Sequence, residues 1–279
     1  MMSYTSIADL ANDLRKYAWK VPADVSLIVG VPRSGLMAAI MLGEILHKPV
    51  CSLPEYIGGI APYLGSRANH IHTNGTKVLV LDDTVYSGSS MTKVRSEIGW
   101  RKDVLFGCVY AEGKDAKDKV DLWLVDNYNP NEELWHLYEW NILHHGKRLS
   151  ERSMWDIDGL MCKEPPDERD TKAYEAYIAN AVPMVIPTTP LGAVVTYRLP
   201  KYRDITAEWL QRQGVKYGQL IMPQLCMERS RRNSAEYKGV IYRDAEWARL
   251  FIESDFSQAI EIADISRKQV YCYETGDIY

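Results

Sequence analysis

Short apolar runs alternate with amphipathic stretches along the whole chain. Thr5 to Tyr17 carries Ile7, Leu10, Ala11 and Leu14 at helical spacing, with Thr5 or Ser6 as cap, and predicts a helix packed across a sheet edge. Ser26 to Val31 predicts a buried strand, Pro32 to Gly35 a tight turn, and Leu36 to Leu46 a helix. Val78 to Leu81, Val104 to Tyr110 and Leu122 to Val125 continue as strands. The second half repeats the alternation, with strands at Leu191 to Tyr197, Leu250 to Ile252 and Val270 to Tyr273 and a helix near Tyr174 to Ala181. Strand, turn and helix in repeated order predict α/β architecture with parallel sheets, whose ligands sit beyond the carboxyl ends of the strands. At 279 residues the chain exceeds the usual single-domain size. The polar stretch His144 to Glu151 carries the turn residue Gly146 and is the expected linker, giving domains 1–147 and 148–279.

The stretch VLVLDDTVYSGSS, Val78 to Ser90, organises the first half. An apolar strand is expected to end at Asp82 and Asp83, two acids that no core accepts. Small residues and hydroxyls then lead into a helix near Met91, and the N–H groups of a helix start suit a phosphate. Two acids beside a phosphate cradle should face ribose hydroxyls or hydrated Mg2+, which together describe a phosphorylated sugar. The stretch resembles the signature of the type I phosphoribosyltransferases, matching at Asp82, Asp83, Gly88 and Ser90, with Ser87 where threonine is usual.

The resemblance implies a site for phosphoribosyl pyrophosphate (PRPP) formed by Asp82, Asp83, Thr84, Ser87, Gly88, Ser89 and Ser90. Its pyrophosphate would lie on the turn Arg33, Ser34 and Gly35. The family also places a mobile lid in the region of Cys51 to Thr76, where Arg67 could reach pyrophosphate and His70 or His72 could assist; a hairpin with solvated histidines fits equally. It builds a hood over the base from the region holding Trp123, Trp135, Tyr138 and Trp140, with Asp126 or Asn127 supplying polar recognition. Aromatic packing between domains is the alternative there.

In the second half, Asp156 and Asp158 flank Ile157 and precede Gly159. At spacing two, both carboxylates can leave a strand end into one site while Ile157 enters the core. One can attack phosphorus and the other can deliver a proton to the leaving oxygen. This looks like the first motif of the haloacid dehalogenase-like phosphatases. The resemblance implies Thr196 as the hydroxyl that binds the transferred phosphoryl group and Lys238, ahead of Lys201, as the lysine tying nucleophile to phosphate. It also implies a Mg2+ site drawn from Asp156, Asp158, Glu253 and Asp255, with Glu253 standing where the family has aspartate. About forty residues separate Asp156 from Thr196, which leaves no room for a large cap.

Composition narrows the remaining classes. Lysine plus arginine is 33 against 37 acids, so bulk charge does not favour nucleic acid as a partner. Five separated cysteines without C-x-x-C spacing fit a reducing cytoplasm rather than a disulfide scaffold. No apolar run approaches the ~20 residues that span a bilayer. The combined expectation is a cytoplasmic, Mg2+-dependent bifunctional enzyme, with a homodimer as default. One domain would transfer phosphoribose from PRPP to a nucleobase-like small molecule, and the other would hydrolyse a phosphomonoester such as that product's 5′-phosphate. A PRPP-sensing module regulating the phosphatase, a phosphatase acting on an unrelated nucleotide or nucleic-acid end, and a structural protein with relic sites are the alternatives.

Overall fold

The computed structural model describes residues 2–62, 64–71, 73–130, 136–144, 146–165, 171–224 and 231–279. The chain forms two compact units, one of Ile7–Trp135 and one of Met1–Ser6 together with His136–Tyr279.

The Ile7–Trp135 unit is a parallel sheet of β1 (Val25–Gly30), β2 (Val50–Ser52), β3 (Lys77–Val85), β4 (Val104–Ala111) and β5 (Leu122–Asp126), in the order β2-β1-β3-β4-β5. The helices are α1 (Ile7–Tyr17), α2 (Ser34–Leu46), α3 (Leu53–Ile57) and α4 (Ser89–Ile98). Leu79, Val80 and Leu81 are all fully buried, as expected of a central parallel strand covered on both faces. Val80, Phe106, Cys108, Met91 and Val94 share one core cluster, which fixes α4 against the sheet.

β3 does not stop at the acids, as the sequence led us to expect. Its ladder with β1 ends at Gly30 opposite Leu81, whereas its ladder with β4 runs on through Asp82 opposite Cys108 to Val85 opposite Ala111. The long β4 supplies backbone partners that keep Asp82 and Asp83 extended. On the other flank the chain turns away: the Val31 N–H donates to the Leu81 carbonyl at 2.9 Å, and α2 starts three residues later.

The second unit is built on β6 (Ser153–Trp155), β7 (Leu191–Val195), β8 (Tyr217–Ile221), β9 (Leu250–Glu253), β10 (Val270–Cys272) and β11 (Asp277–Ile278). Their order is β8-β7-β6-β9-β10-β11, parallel except for the final hairpin pair. Its longer helices are α5 (Thr171–Asn180), α6 (Arg203–Arg212), α7 (Arg231–Asp244) and α8 (Phe256–Ser266). Between β6 and β7 the described chain adds only α5, whose Tyr174 and Ile178 pack against Tyr202, the residue that leads into α6.

Two features move the boundary from the expected position after Lys147. Tyr4–Thr5 pairs in parallel with Leu137–Tyr138, and the Met2 N–H donates to Gln269 Oε1 at 2.7 Å while Gln269 Nε2 donates back to the Met2 carbonyl at 2.8 Å. The first residues thus belong with the C-terminal half, and Thr5 is a strand residue rather than a helix cap. The expected linker is also structured: Leu149 and Ser150 are buried, and Ser150 Oγ donates to the Pro190 carbonyl at 2.8 Å. Local polarity suggested a linker because lysine and arginine flank these two anchors. Among the described residues no helix is long and apolar enough to cross a membrane.

Candidate active sites

In the Ile7–Trp135 unit, Asp82 and Asp83 are buried at the far end of β3, at the start of α2. Asp82 Oδ1 accepts the Asp83 N–H at 3.0 Å, and Asp82 Oδ2 accepts Ser90 Oγ at 3.3 Å. Asp83 Oδ1 accepts Ser34 Oγ at 3.0 Å. Gly35 is required here, because a Cβ on it would lie 2.8 Å from Asp82 Cα and 2.9 Å from the Leu81 carbonyl oxygen. The structure therefore brings Arg33–Gly35, whose last two residues open α2 rather than close the expected turn, and the acid pair together, across 49 residues of sequence. Burial, and then the charge of Asp83, push the Asp82 carboxyl up to about 8.

The loop after the acids is built for exposure. Gly88 holds φ +74 ahead of α4, a left-handed conformation that favours glycine. The helix begins at Ser89, earlier than the expected Met91. Ser87, Ser89 and Ser90 are exposed and Thr84 half-buried, and Ser87 Oγ lies 3.0 Å from Ser89 Oγ. Hydroxyls and N–H groups at this helix start can accommodate an anion. Arg33 is exposed beside the first turn of α2.

The expected base hood is divided. Trp123 packs against the core of the Ile7–Trp135 unit, and Asp126, exposed at the end of β5, is bound by Lys117 Nζ. That partner holds the Asp126 carboxyl below its ordinary range. Tyr138 and Trp140, with ring centroids 4.8 Å apart, belong to the other unit, where Tyr138 is buried in the ladder with Thr5. Trp135 and His72 lie outside the described residues, as does the Arg67 side chain.

In the second unit, Asp156 follows β6, Thr196 follows β7, Glu253 ends β9, and Lys238 projects from α7. All four are buried. Lys238 Nζ lies 2.9 Å from Asp156 Oδ2, 2.8 Å from Glu253 Oε2 and 3.4 Å from Gln258 Oε1. Burial, then Glu253, raise the Asp156 carboxyl well above its ordinary range against the pull of Lys238. Burial disfavours the Lys238 ammonium, yet Asp156 and Glu253 together raise it above the ordinary lysine range. Asp156 is thus a buried carboxyl at a strand end with an ammonium on one oxygen.

Asp158 is held differently. Arg198 donates from Nη2 to Oδ1 at 2.6 Å and from Nε to Oδ2 at 3.0 Å, a two-pronged grip that the sequence reading missed. The only sequence signal was an arginine two residues beyond Thr196. Ser254 Oγ donates to the Asp158 carbonyl at 2.9 Å, and Gly159, at φ +77, leaves no space for a side chain: a Cβ would meet Ser254 Oγ at 2.7 Å.

The acids ending β9 are occupied by protein donors. Glu253 Oε1 accepts the Ser254 N–H at 2.9 Å and the Asp255 N–H at 3.3 Å, while Oε2 takes Lys238. Asp255 Oδ1 caps α8 by accepting the Gln258 N–H at 2.9 Å and Ser257 Oγ at 2.6 Å. Among the described residues no group of three or more acidic, histidine or cysteine side chains is arranged to hold a metal ion. Three carboxylates, Asp156, Asp158 and Glu253, nevertheless face two cations, Lys238 and Arg198, and the excess negative charge is of the kind a divalent cation would offset. Mg2+ needs only one or two carboxylates because it keeps several waters. An ion bound here would be held by Asp156 and Asp158, in competition with the Arg198 grip on Asp158, rather than by the satisfied oxygens of Glu253.

Comparison with solved structures finds likenesses over shares of the chain that run from about half to 86%. A purine phosphoribosyltransferase from Pyrococcus horikoshii is 21% identical over 50% of this chain and 93% of its own, with a TM-score of 0.35. A xanthine-guanine-hypoxanthine phosphoribosyltransferase from Helicobacter pylori is 18% identical over 51% of this chain and 95% of its own, with a TM-score of 0.34. A chain of a Pnkp1/Rnl/Hen1 complex is 15% identical over 86% of this chain and 91% of its own, with a TM-score of 0.32. No family model matches the chain, and no curated protein matches it.

Proposed function

We propose that this chain is a bifunctional, Mg2+-dependent enzyme of nucleotide metabolism. One unit transfers phosphoribose from PRPP to a nucleobase-like acceptor, and the other hydrolyses a phosphomonoester through an aspartyl-phosphate. The observation that carries the reading is shared by both units: two acids at the carboxyl end of a central parallel strand, held in place by donors from a neighbouring element.

In the Ile7–Trp135 unit, the N-terminus of α4 and the hydroxyls of Ser87, Ser89 and Ser90 bind the 5-phosphate, and Thr84 lines the same loop. Asp82 and Asp83 face the ribose hydroxyls and hold Mg2+ with its waters. Arg33 and the first turn of α2 receive the pyrophosphate, Arg33 through two oxygens at once. The protein's contribution is positioning and charge stabilisation of a departing polyanion. Asp126, at the end of β5 in the same unit, is the candidate for contact with the base.

In the second unit, Asp156 attacks phosphorus, Lys238 and Thr196 hold the phosphoryl oxygens, and Asp158 gives a proton to the leaving oxygen. Mg2+, held by Asp156 and Asp158 within the negative field of Glu253 and Asp255, supplies charge neutralisation when bound. Joined in sequence, the two reactions would convert a base to a nucleoside, and irreversible hydrolysis would draw the reversible transfer forward.

The test is a mass-spectrometric assay with Mg2+, PRPP and a panel of bases, comparing wild type with Asp156→Asn and Asp83→Asn. A nucleoside from wild type, its 5′-phosphate accumulating in Asp156→Asn, and neither from Asp83→Asn are expected. Base consumption absent for every member of the panel would remove the transferase half. Persistence of Asp156-dependent hydrolysis in that case would leave a phosphatase with a PRPP-binding module.

A further inference from the structure

We infer that Lys119, which lies outside the acid pair and its loop in sequence, supplies the cation of the phosphate cradle in the Ile7–Trp135 unit and meets the 5-phosphate of PRPP. The inference rests on the PRPP reading above. Its ground is a charge that the cradle otherwise lacks. Thr84 to Ser90 contains no lysine or arginine, and the two residues before it are Asp82 and Asp83. A phosphate bound at the start of α4 meets N–H groups and hydroxyls there, but also the field of two nearby acids. Arg33 stands at the start of the other helix, α2, where the pyrophosphate is received.

The connection from β4 to β5 wraps this loop. The Glu112 N–H donates to the Val85 carbonyl at 2.9 Å, and Gly113 lies so close to the next peptide that a Cβ on it would collide with the Tyr86 carbonyl oxygen. At the far end of the connection the Lys119 stem runs across Gly88. A Cβ built on Gly88 would lie 2.9, 2.5 and 3.3 Å from Lys119 Cβ, Cγ and Cδ. Gly88 thus serves the left-handed turn and also leaves room for the lysine stem. The ammonium is two bonds beyond Cδ, within reach of an anion on the first N–H groups of α4. The side chain is exposed, and among the described residues no hydrogen bond or ion pair occupies its ammonium.

The backbone of Lys119 is fixed by the same helix that offers the phosphate site. Arg95, on α4, donates from Nη2 to the Lys119 carbonyl at 3.4 Å and to Asp121 Oδ2 at 3.1 Å, and its guanidinium carbon lies 4.0 Å from the centroid of the Phe106 ring. Ala116 and Val120, on either side of Lys119, are buried in the core cluster of this unit. The acids that could neutralise the lysine have other partners: Asp121 pairs with Arg95, and Asp126 with Lys117. Lys119 therefore combines an anchored backbone, a stem laid on glycine and an open head, the form of a point charge kept for an incoming phosphate.

Lys119→Met keeps the stem and removes the charge, and Lys119→Arg restores a charge. Both are made in the full chain carrying Asp156→Asn, so that hydrolysis by the second unit does not consume the ligand. Calorimetric titration with PRPP and with pyrophosphate, each with Mg2+, is the test, and thermal melts report folding. The Kd for PRPP should rise about tenfold in Lys119→Met and stay within about threefold in Lys119→Arg, while that for pyrophosphate, which has no 5-phosphate, should stay within about twofold. The PRPP difference should shrink as salt is raised from about 50 to about 500 mM, because the contact is open to solvent. An unchanged Kd for PRPP, an equal loss for both ligands, or a loss that accompanies a lowered melting temperature and is not reversed by Lys119→Arg would overturn the inference. Failure of the PRPP reading looks different: the chain with Lys119 intact would bind no PRPP, or would bind it equally well with Asp83→Asn, and the inference would fall with it.

Discussion

Replacing Lys238 with methionine removes an ammonium but keeps most of the side-chain volume, leaving Asp156 and Glu253 facing each other in a fully buried site. Breaking a buried pair by removing one partner costs about 3–5 kcal/mol. The loss should depend on pH. Asp156 is already raised above its unfolded value, so the folded state holds its proton more tightly, and stability falls as pH rises above the unfolded pKa. Without the opposing pull of Lys238 that window extends upward.

A single carboxyl contributes at most ~1.4 kcal/mol per pH unit. We therefore expect a loss of about 4 kcal/mol at pH 8 and a smaller one at pH 5.5, as protonation of Asp156 relieves its opposition to Glu253. Glu253 keeps the Ser254 and Asp255 N–H donors throughout. Lys238→Met combined with Glu253→Gln should recover roughly half of the loss, since the second change removes the orphaned charge. Urea unfolding followed by tryptophan fluorescence is the assay, because Trp155 and Trp209 are buried in this unit. A loss below about 1 kcal/mol, or one equal at both pH values, would refute the reasoning.

Other outcomes follow from the same geometry. Asp82, at about 8, loses its stabilising protonated form as pH rises from the unfolded carboxylate range through 8, so Asp82→Asn should melt higher than wild type at pH 8.5, with the gap closing toward pH 5; the same variant should lose PRPP binding by calorimetry. Gly35→Ala forces a Cβ against Asp82 and Leu81 backbone atoms and should destabilise by about 1–3 kcal/mol, measured by urea unfolding, and weaken PRPP binding. Asp255→Ala should cost about 1 kcal/mol by loss of the α8 cap, with the Mg2+ dependence of hydrolysis unmoved; a shifted Mg2+ requirement would instead make Asp255 part of a metal site.

The elements that the sequence determined are those whose information is local. Apolar runs marked most of the long strands, β8 (Tyr217–Ile221) excepted, and the alternate acids Asp156 and Asp158 marked the end of β6, because burying a charge without a partner is costly at any position. Lys238, inside α7, was reached by chain order within the family resemblance rather than by a local signal.

What the tertiary structure alone decided depends on partners distant in sequence. The reach of β3 past its acids was set by the length of β4, the assignment of Tyr4–Thr5 to the C-terminal half by Leu137–Tyr138, and the order of the supposed linker by Pro190. The satisfied state of Glu253 and the sealed grip of Arg198 on Asp158 belong to the same class. In each case the residue's own neighbourhood was compatible with several states, and the free energy that selected one came from hydrogen bonds and burial supplied by another segment.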